Sequence, residues 1–187
     1  MPNPRLATRY AKSVLDLAIE RGQLEQVYAD MLYLQKVLQS SRDLVAMLRS
    51  PVVTADKKQI VMDQITGKNI GELSAAFTKL LITKSREAEL PEIITAFIRQ
   101  YKEKKDIHVV RLTTAVPVSD AVKNSIIDQV RKTSNMQNIE LDEKVDPSII
   151  GGFVLQAGDK LIDASISYDL KAISRQFDNN DFIYKVR

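Results

Sequence analysis

Apolar residues step through the first part of this chain by threes and fours. Leu24, Val27, Met31, Leu34 and Leu38 form one such series, the signature of an amphipathic helix with its apolar stripe on a core. Leu90, Ile94, Phe97 and Tyr101 form another. The pattern breaks at Gly22, at the SSRD of 40–43, at Ser50-Pro51, around Gly67–Gly71 and near Arg86–Leu90. The residue before a proline is biased away from helical backbone, so one helix is expected to stop at Ser50. Thr54 then offers a hydroxyl to cap the next, with Asp56 in its first turn. The pattern predicts six helices, over 4–21, 24–39, 42–49, 55–66, 70–85 and 89–104. Connections this short make sequential helices antiparallel neighbours in a bundle.

After the charged run KEKKD the period changes from helical to alternating. Val110, Leu112, Thr114 and Val116 alternate with other side chains in a strand that Pro117 ends. Ser119 caps a helix carrying Val122, Ile126 and Val130, and Ile139, Leu141 and Val145 alternate in a second strand. GGFVLQAGDKLIDAS, residues 151–165, reads as a strand, a turn and a strand, and Ile166, Leu170, Ile173 and Phe177 share one face of a last helix. The expected fold class is α+β: an N-terminal six-helix bundle over 1–105, then a small mixed α/β domain over 106–187 in the order β-α-β-β-β-α.

At 187 residues the chain is long enough to bury a core without staples. It has no cysteine, which removes disulfides, thiolate metal sites and cysteine nucleophiles together. No apolar run approaches the ~20 residues that cross a bilayer, and MPNPRLATRY has neither the signal-peptide nor the transit-peptide pattern. A bacterial origin is the expectation drawn from that. The net charge of +3 is uneven: residues 1–105 carry 17 Lys+Arg against 12 Asp+Glu, and the remainder 10 against 12. A basic first domain fits solvated helix faces. It also raises the alternative of a two-domain nucleic-acid-binding protein, although no basic block exceeds KEKK and there is no tryptophan to stack on bases.

Candidate chemistry concentrates in 151–165, which holds three of the six glycines. A phosphate loop needs more glycines and a helix immediately after them. Gly151 and Gly152 are instead followed by Phe153-Val154-Leu155, so their expected use is close backbone approach or a bulge where the strand starts. Gly158 and Asp159 suit a tight hairpin turn. Asp163 or Ser165 is placed to accept from the free N–H groups of the last helix. Asp159 and Asp163 as an acid/base pair lack a third converging group, and the lone His108 comes with no cysteine in the chain and no clustered carboxylate motif. No catalytic, cofactor or metal site is expected.

Two helices are apolar over more of their circumference than one packing face needs. In the first, Tyr10, Val14 and Leu17 lie together and Ala11, Leu15, Ala18 and Ile19 widen the arc to roughly 200°, against the ~100° of a single stripe. In the fifth, Ile70, Leu73, Ala76, Phe77, Leu80 and Leu81 share an arc that leaves Ile82 outside. Such breadth fits a helix central to a bundle. It equally fits a groove that receives an apolar helix from a partner.

DPSIIGGFVLQAGDKLIDASISYDLKAI, residues 146–173, resembles the C-terminal signature of the F-type ATP synthase delta subunit, the oligomycin sensitivity-conferring protein family. RYAKSVLDLA at 9–18, RSPVVTADKK at 49–58, LLITKSREAELPEIITAF at 80–97 and TTAVPVSD at 113–120 extend the resemblance in the same order. The family's usual glycine after Asp163 is Ala164 here, and the tail DNNDFIYKVR has no counterpart in the pattern. The resemblance implies a non-catalytic stator subunit of the peripheral stalk, on the cytoplasmic face of the bacterial inner membrane. Its first domain would hold N-terminal helices of the alpha subunits of the catalytic head, and its second the C-terminal region of the b-subunit stalk. It would insert in no lipid and bind no nucleic acid, cofactor or small-molecule substrate. Tyr10, Val14, Leu17, Phe77 and Leu80 are the implied lining of the alpha-subunit groove. Gly151, Gly152, Gly158, Asp159, Asp163 and Ser165 are its structural signature positions.

Overall fold

The computed structural model describes residues 4–67, 69–133, 138–158 and 160–178. Contacts divide the chain into two units, Met1–Lys105 and Asp106–Arg187.

The first unit is helical: α1 (Pro4–Glu20), α2 (Leu24–Ser40), α3 (Arg42–Arg49), α4 (Ala55–Thr66), α5 (Glu72–Thr83) and α6 (Leu90–Lys104), with a 3-10 turn at Glu87–Glu89 before α6. The apolar series of α6 is the centre of the core. Leu90, Ile93, Ile94 and Phe97 are fully buried, and α1 and α2 both pack on this helix. Local chemistry sets the ends. Gly22, at φ 65°, closes α1 with paired bonds, Gln23 N–H to Ala18 O at 2.9 Å and Gly22 N–H to Ile19 O at 3.0 Å. Ser41 caps α3 by accepting from Leu44 N–H at 3.3 Å. Thr54 is extended at the start of α4, but its side chain makes no cap bond, contrary to expectation.

Polar side chains clasp these helices together. Asp30 of α2 is buried and accepts from Gly71 N–H at 2.9 Å and Ser74 Oγ–H at 2.5 Å, so it caps α5 from another helix. Lys58 of α4, 3% exposed, donates to Leu48 O at 2.9 Å and Glu87 Oε1 at 2.6 Å. It thereby satisfies a carbonyl in the last turn of α3 that has no partner within that helix. Tyr101 stacks on Tyr28 at 3.8 Å and donates to Glu25 Oε2 at 2.6 Å, and Lys105 holds the other oxygen of Glu25 at 2.7 Å. Burial first, and then the bond to Glu25, push the Tyr101 hydroxyl up to about 12. Lys105 and the Tyr101 hydroxyl hold the Glu25 carboxyl below the ordinary carboxylate value.

The second unit runs β1 (Ile107–Thr114), α7 (Asp120–Thr133), β2 (Asn138–Val145), a 3-10 turn at Pro147–Ile149, β3 (Gly152–Ala157), β4 (Lys160–Ser165) and α8 (Ile166–Asp178). The strands order as β2-β1-β3-β4. β1 and β2 pair in parallel from Ile107↔Asn138 to Thr114↔Val145, because α7 supplies the crossover that a parallel pair requires. β3 is antiparallel to both β1 and β4. Val110 and Leu112 of β1 and Leu155 of β3 form the core, under Ile126 and Val130 of α7 and beside Ile139 and Leu141 of β2. Val116 does not continue the alternation. β1 ends at Thr114, whose hydroxyl donates to Val116 O at 2.9 Å, and Val116 is exposed.

Candidate docking surfaces

α1 packs on α6 and α2 through Ala7, Ala11, Val14, Leu15 and Ala18. That uses the middle of its broad apolar arc and leaves the flanks. Val14 is therefore a core side chain, 4% exposed, whereas Leu17 on the flank is 39% exposed and Tyr10 half-buried. α5 is rolled differently from the sequence expectation. Its buried residues are Leu73, Ser74, Thr78, Leu81 and Ile82, so Ile82 is inside and Ala76 outside. The cause is polar: Ser74 bonds Asp30, and Thr78 Oγ–H donates to Ser74 O at 2.9 Å, which lets two hydroxyls face the core. Phe77 then sits half-buried at the margin and Leu80 is 46% exposed.

The hairpin residues have structural uses. Gly152 has φ 75°, and a Cβ there would lie 2.1 Å from Ala164 O, so only glycine fits. A Cβ at Gly151 would meet the end of the Ile166 side chain at 2.7 Å. Gly158, φ 57°, begins the turn between β3 and β4; Asp159 lies outside the described residues. Asp163 Oδ1 accepts from Ser165 N–H at 3.0 Å, and buried Ser165 caps α8 by accepting from Tyr168 N–H at 3.1 Å. Ala164 lies within β4 and pairs with Phe153, so the missing glycine costs no strained backbone. Asp146, which opens the signature, accepts from the Ser148 hydroxyl and N–H, and these bonds hold its carboxyl below the usual range. His108 Nε2 lies 3.1 Å from Asp106 Oδ1.

The second unit also leaves apolar side chains open. Leu161 and Ile162, on opposite faces of edge strand β4, and Ile166, Leu170 and Ile173 on α8 are all exposed. Among the described residues no group of three His, Cys, Asp or Glu side chains could hold a metal, and no described helix is long and apolar enough to cross a membrane.

The chain is thus a helical unit with apolar side chains left exposed on α1 and α5, followed by a small mixed-sheet unit with apolar side chains left exposed on β4 and α8. The family model described as ATP synthase delta (OSCP) subunit matches residues 6–177, and the chain belongs to that family. It is 37% identical to ATP synthase subunit delta of Cytophaga hutchinsonii over 95% of this chain and 96% of the relative. ATP synthase subunit delta of Christiangramia forsetii is 31% identical over 100% of both chains. In fold it is similar to a chain of the Toxoplasma gondii mitochondrial ATP synthase hexamer, with TM-score 0.70 and 23% identity over 92% of this chain and 97% of that one. The chain is thus a structural, peripheral-stalk subunit of the F-type ATP synthase that assembles with other subunits of the complex. The nucleic-acid alternative finds no support among these relatives.

Proposed function

We propose that the chain is a static joint with no active site of its own. The helical unit grips N-terminal helices of the alpha subunits, and the α/β unit grips the C-terminal region of the b-subunit stalk, at the cytoplasmic face of the bacterial inner membrane. Holding the head to the stalk keeps it from turning with the shaft, so that rotation is coupled to proton transport and ATP synthesis. The observation that carries this reading is the open flank of α1 and α5. Leu17 and Leu80 are exposed beside half-buried Tyr10 and Phe77, and Val14 anchors α1 from within. Apolar side chains left uncovered beside charged neighbours match the core and margin of a protein interface. On the α/β unit, the exposed Ile166, Leu170 and Ile173 of α8 are the surface offered to the stalk. A subunit gripping two parts of one assembly gains effective concentration at each contact.

The test is calorimetric titration of the full chain with the alpha subunit's N-terminal segment. Binding should be tight and should induce helix in the segment. Leu80→Asp, placing a charge on the flank at a site already 46% exposed, should weaken it by at least about tenfold, the free-energy equivalent of burying one unpaired charge only in part. Undiminished binding to that variant would rule out the α1/α5 flank as the site.

A further inference from the structure

The α1/α5 flank ends in concentrated positive charge. Arg5, Leu6, Arg9, Tyr10 and Ser13 of α1 line a recess of about 400 Å³ together with Arg86, which follows the turn closing α5. Arg5 and Arg9 stand one turn apart on α1. Arg86 is fixed by that turn: its N–H donates to Leu81 O at 2.8 Å, and Ser85 N–H donates to Ile82 O at 3.0 Å. The first turn of α1 contains no acidic residue, so the positive end of the helix adds to the arginines rather than offsetting them. Arg49, Arg99, Arg111 and Arg131 each face a carboxylate, namely Glu92, Glu103, Asp142 and Asp128. Arg5, Arg9 and Arg86 are exposed and, like Arg21, Arg42 and Arg175, have no ion pair among the described residues; what sets them apart is that they share one recess.

Three guanidinium groups around one recess repel each other in the free chain, and a carboxylate placed among them relieves that repulsion while accepting paired N–H bonds. Tyr10 belongs both to this recess and to the apolar flank, so the two are continuous. We infer that the recess is an end stop for a docked helix: it takes carboxylate side chains beyond one end of the segment's apolar stripe. This fixes the segment's direction and register, which the apolar contacts alone leave free to slide. The occupant is an amphipathic peptide helix with an acidic end. The inference rests on the reading that the α1/α5 flank receives such a helix.

The experiment compares three full-length proteins against the alpha subunit's N-terminal segment by calorimetry, at low and at high salt. They are the wild type, R5Q/R9Q/R86Q, and K36Q/R42Q/K57Q, which lowers the charge of the helical unit equally at exposed sites outside the recess. The recess variant should bind about tenfold more weakly at low salt and lose most of its salt dependence. The control should bind as the wild type does. A segment with its Asp and Glu changed to Asn and Gln should reproduce the loss against the wild type. Circular dichroism establishes that both variants remain folded. Equal binding by the recess variant, equal weakening by the control, or indifference to the amide segment would each overturn the inference. Leu80→Asp separates the two claims. If it weakens binding while the arginine variant does not, the groove stands and the end stop falls. If it is also silent, the groove falls and takes the end stop with it.

Discussion

The Lys58–Glu87 clasp allows a sharp test of how the helical unit holds itself together. Lys58 Nζ is 2.6 Å from Glu87 Oε1 and 2.9 Å from Leu48 O, and the two side chains are only 4% and 13% exposed. The second oxygen of Glu87, Oε2, is buried without a hydrogen bond, so Lys58 is what compensates this carboxylate. At an effective dielectric of 20, two charges 2.6 Å apart attract by about 6 kcal/mol. Removing both ions from water costs several kcal/mol each, so the intact pair is worth little in net terms. Breaking it is another matter. Lys58→Met keeps the buried aliphatic stem but strands a carboxylate and the Leu48 carbonyl, for a loss of about 3–5 kcal/mol. Lys58→Met with Glu87→Gln removes both charges and should lose only about 1–2 kcal/mol, mostly unmade hydrogen bonds. The second substitution therefore rescues the first by about 2–3 kcal/mol. The assay is urea unfolding at neutral pH by far-ultraviolet circular dichroism, with m-values compared so that only the helical unit's midpoint moves. A single variant within 1 kcal/mol of wild type, or strictly additive losses, would refute the claim that the pair is dry and mutually dependent.

Other expectations follow from backbone and proton binding. Gly152→Ala drives a Cβ into Ala164 O, 2.1 Å away, at φ 75°, and should destabilise the α/β unit by about 2–4 kcal/mol; thermal melts that leave it unchanged would contradict the hairpin geometry. Ser85 closes α5 at φ 55°, where an ordinary side chain is strained, so Ser85→Gly should stabilise by up to about 1 kcal/mol in the same melts. Tyr101 titrates near 12 when folded against 10.0 ordinarily. The folded state therefore holds its proton more tightly, and the contribution is intact below pH 10 and lost as pH rises from 10 through about 12. Tyr101→Phe should flatten that part of the stability profile, by on the order of 2 kcal/mol, and an unchanged alkaline profile would count against the buried hydroxyl.

Helix positions in the first unit were readable because apolar spacing, proline and glycine agree locally: α3 and α4 run over the residues that the pattern predicts. What was not readable depends on partners distant in sequence. Nothing local to Ser74 and Thr78 says that they face inward; Asp30 of α2 makes it possible, and that rolls α5. A lysine in the first turn of a helix reads as solvated, yet Lys58 is buried because Leu48 and Glu87 meet it there. The same limit applies to the candidate site. Broad apolar arcs marked α1 and α5, but only the packing distinguishes Val14, which is spent on the core, from Leu17, which is not. Arg86 joins Arg5 and Arg9 through the turn after α5, a juxtaposition invisible in a linear reading. In the second unit the Gly152 requirement follows from its carbonyl neighbour across the hairpin, whereas the strand itself was plain from alternation.

The packing of α1 on α6 has a consequence for synthesis. α1 settles on α6, the last helix of its unit to be made, and Gln100 of α6 donates to Thr8 O of α1 at 3.0 Å across 92 residues of sequence. From Glu20 to Lys104 translation takes about 4–17 s at ordinary rates. Throughout that interval Ala11, Val14, Leu15 and Ala18, all destined for the core, have no α6 to cover them. The nascent chain thus leaves the core face of α1 uncovered for seconds before the helical unit can close. That is when a chaperone has its easiest access to α1.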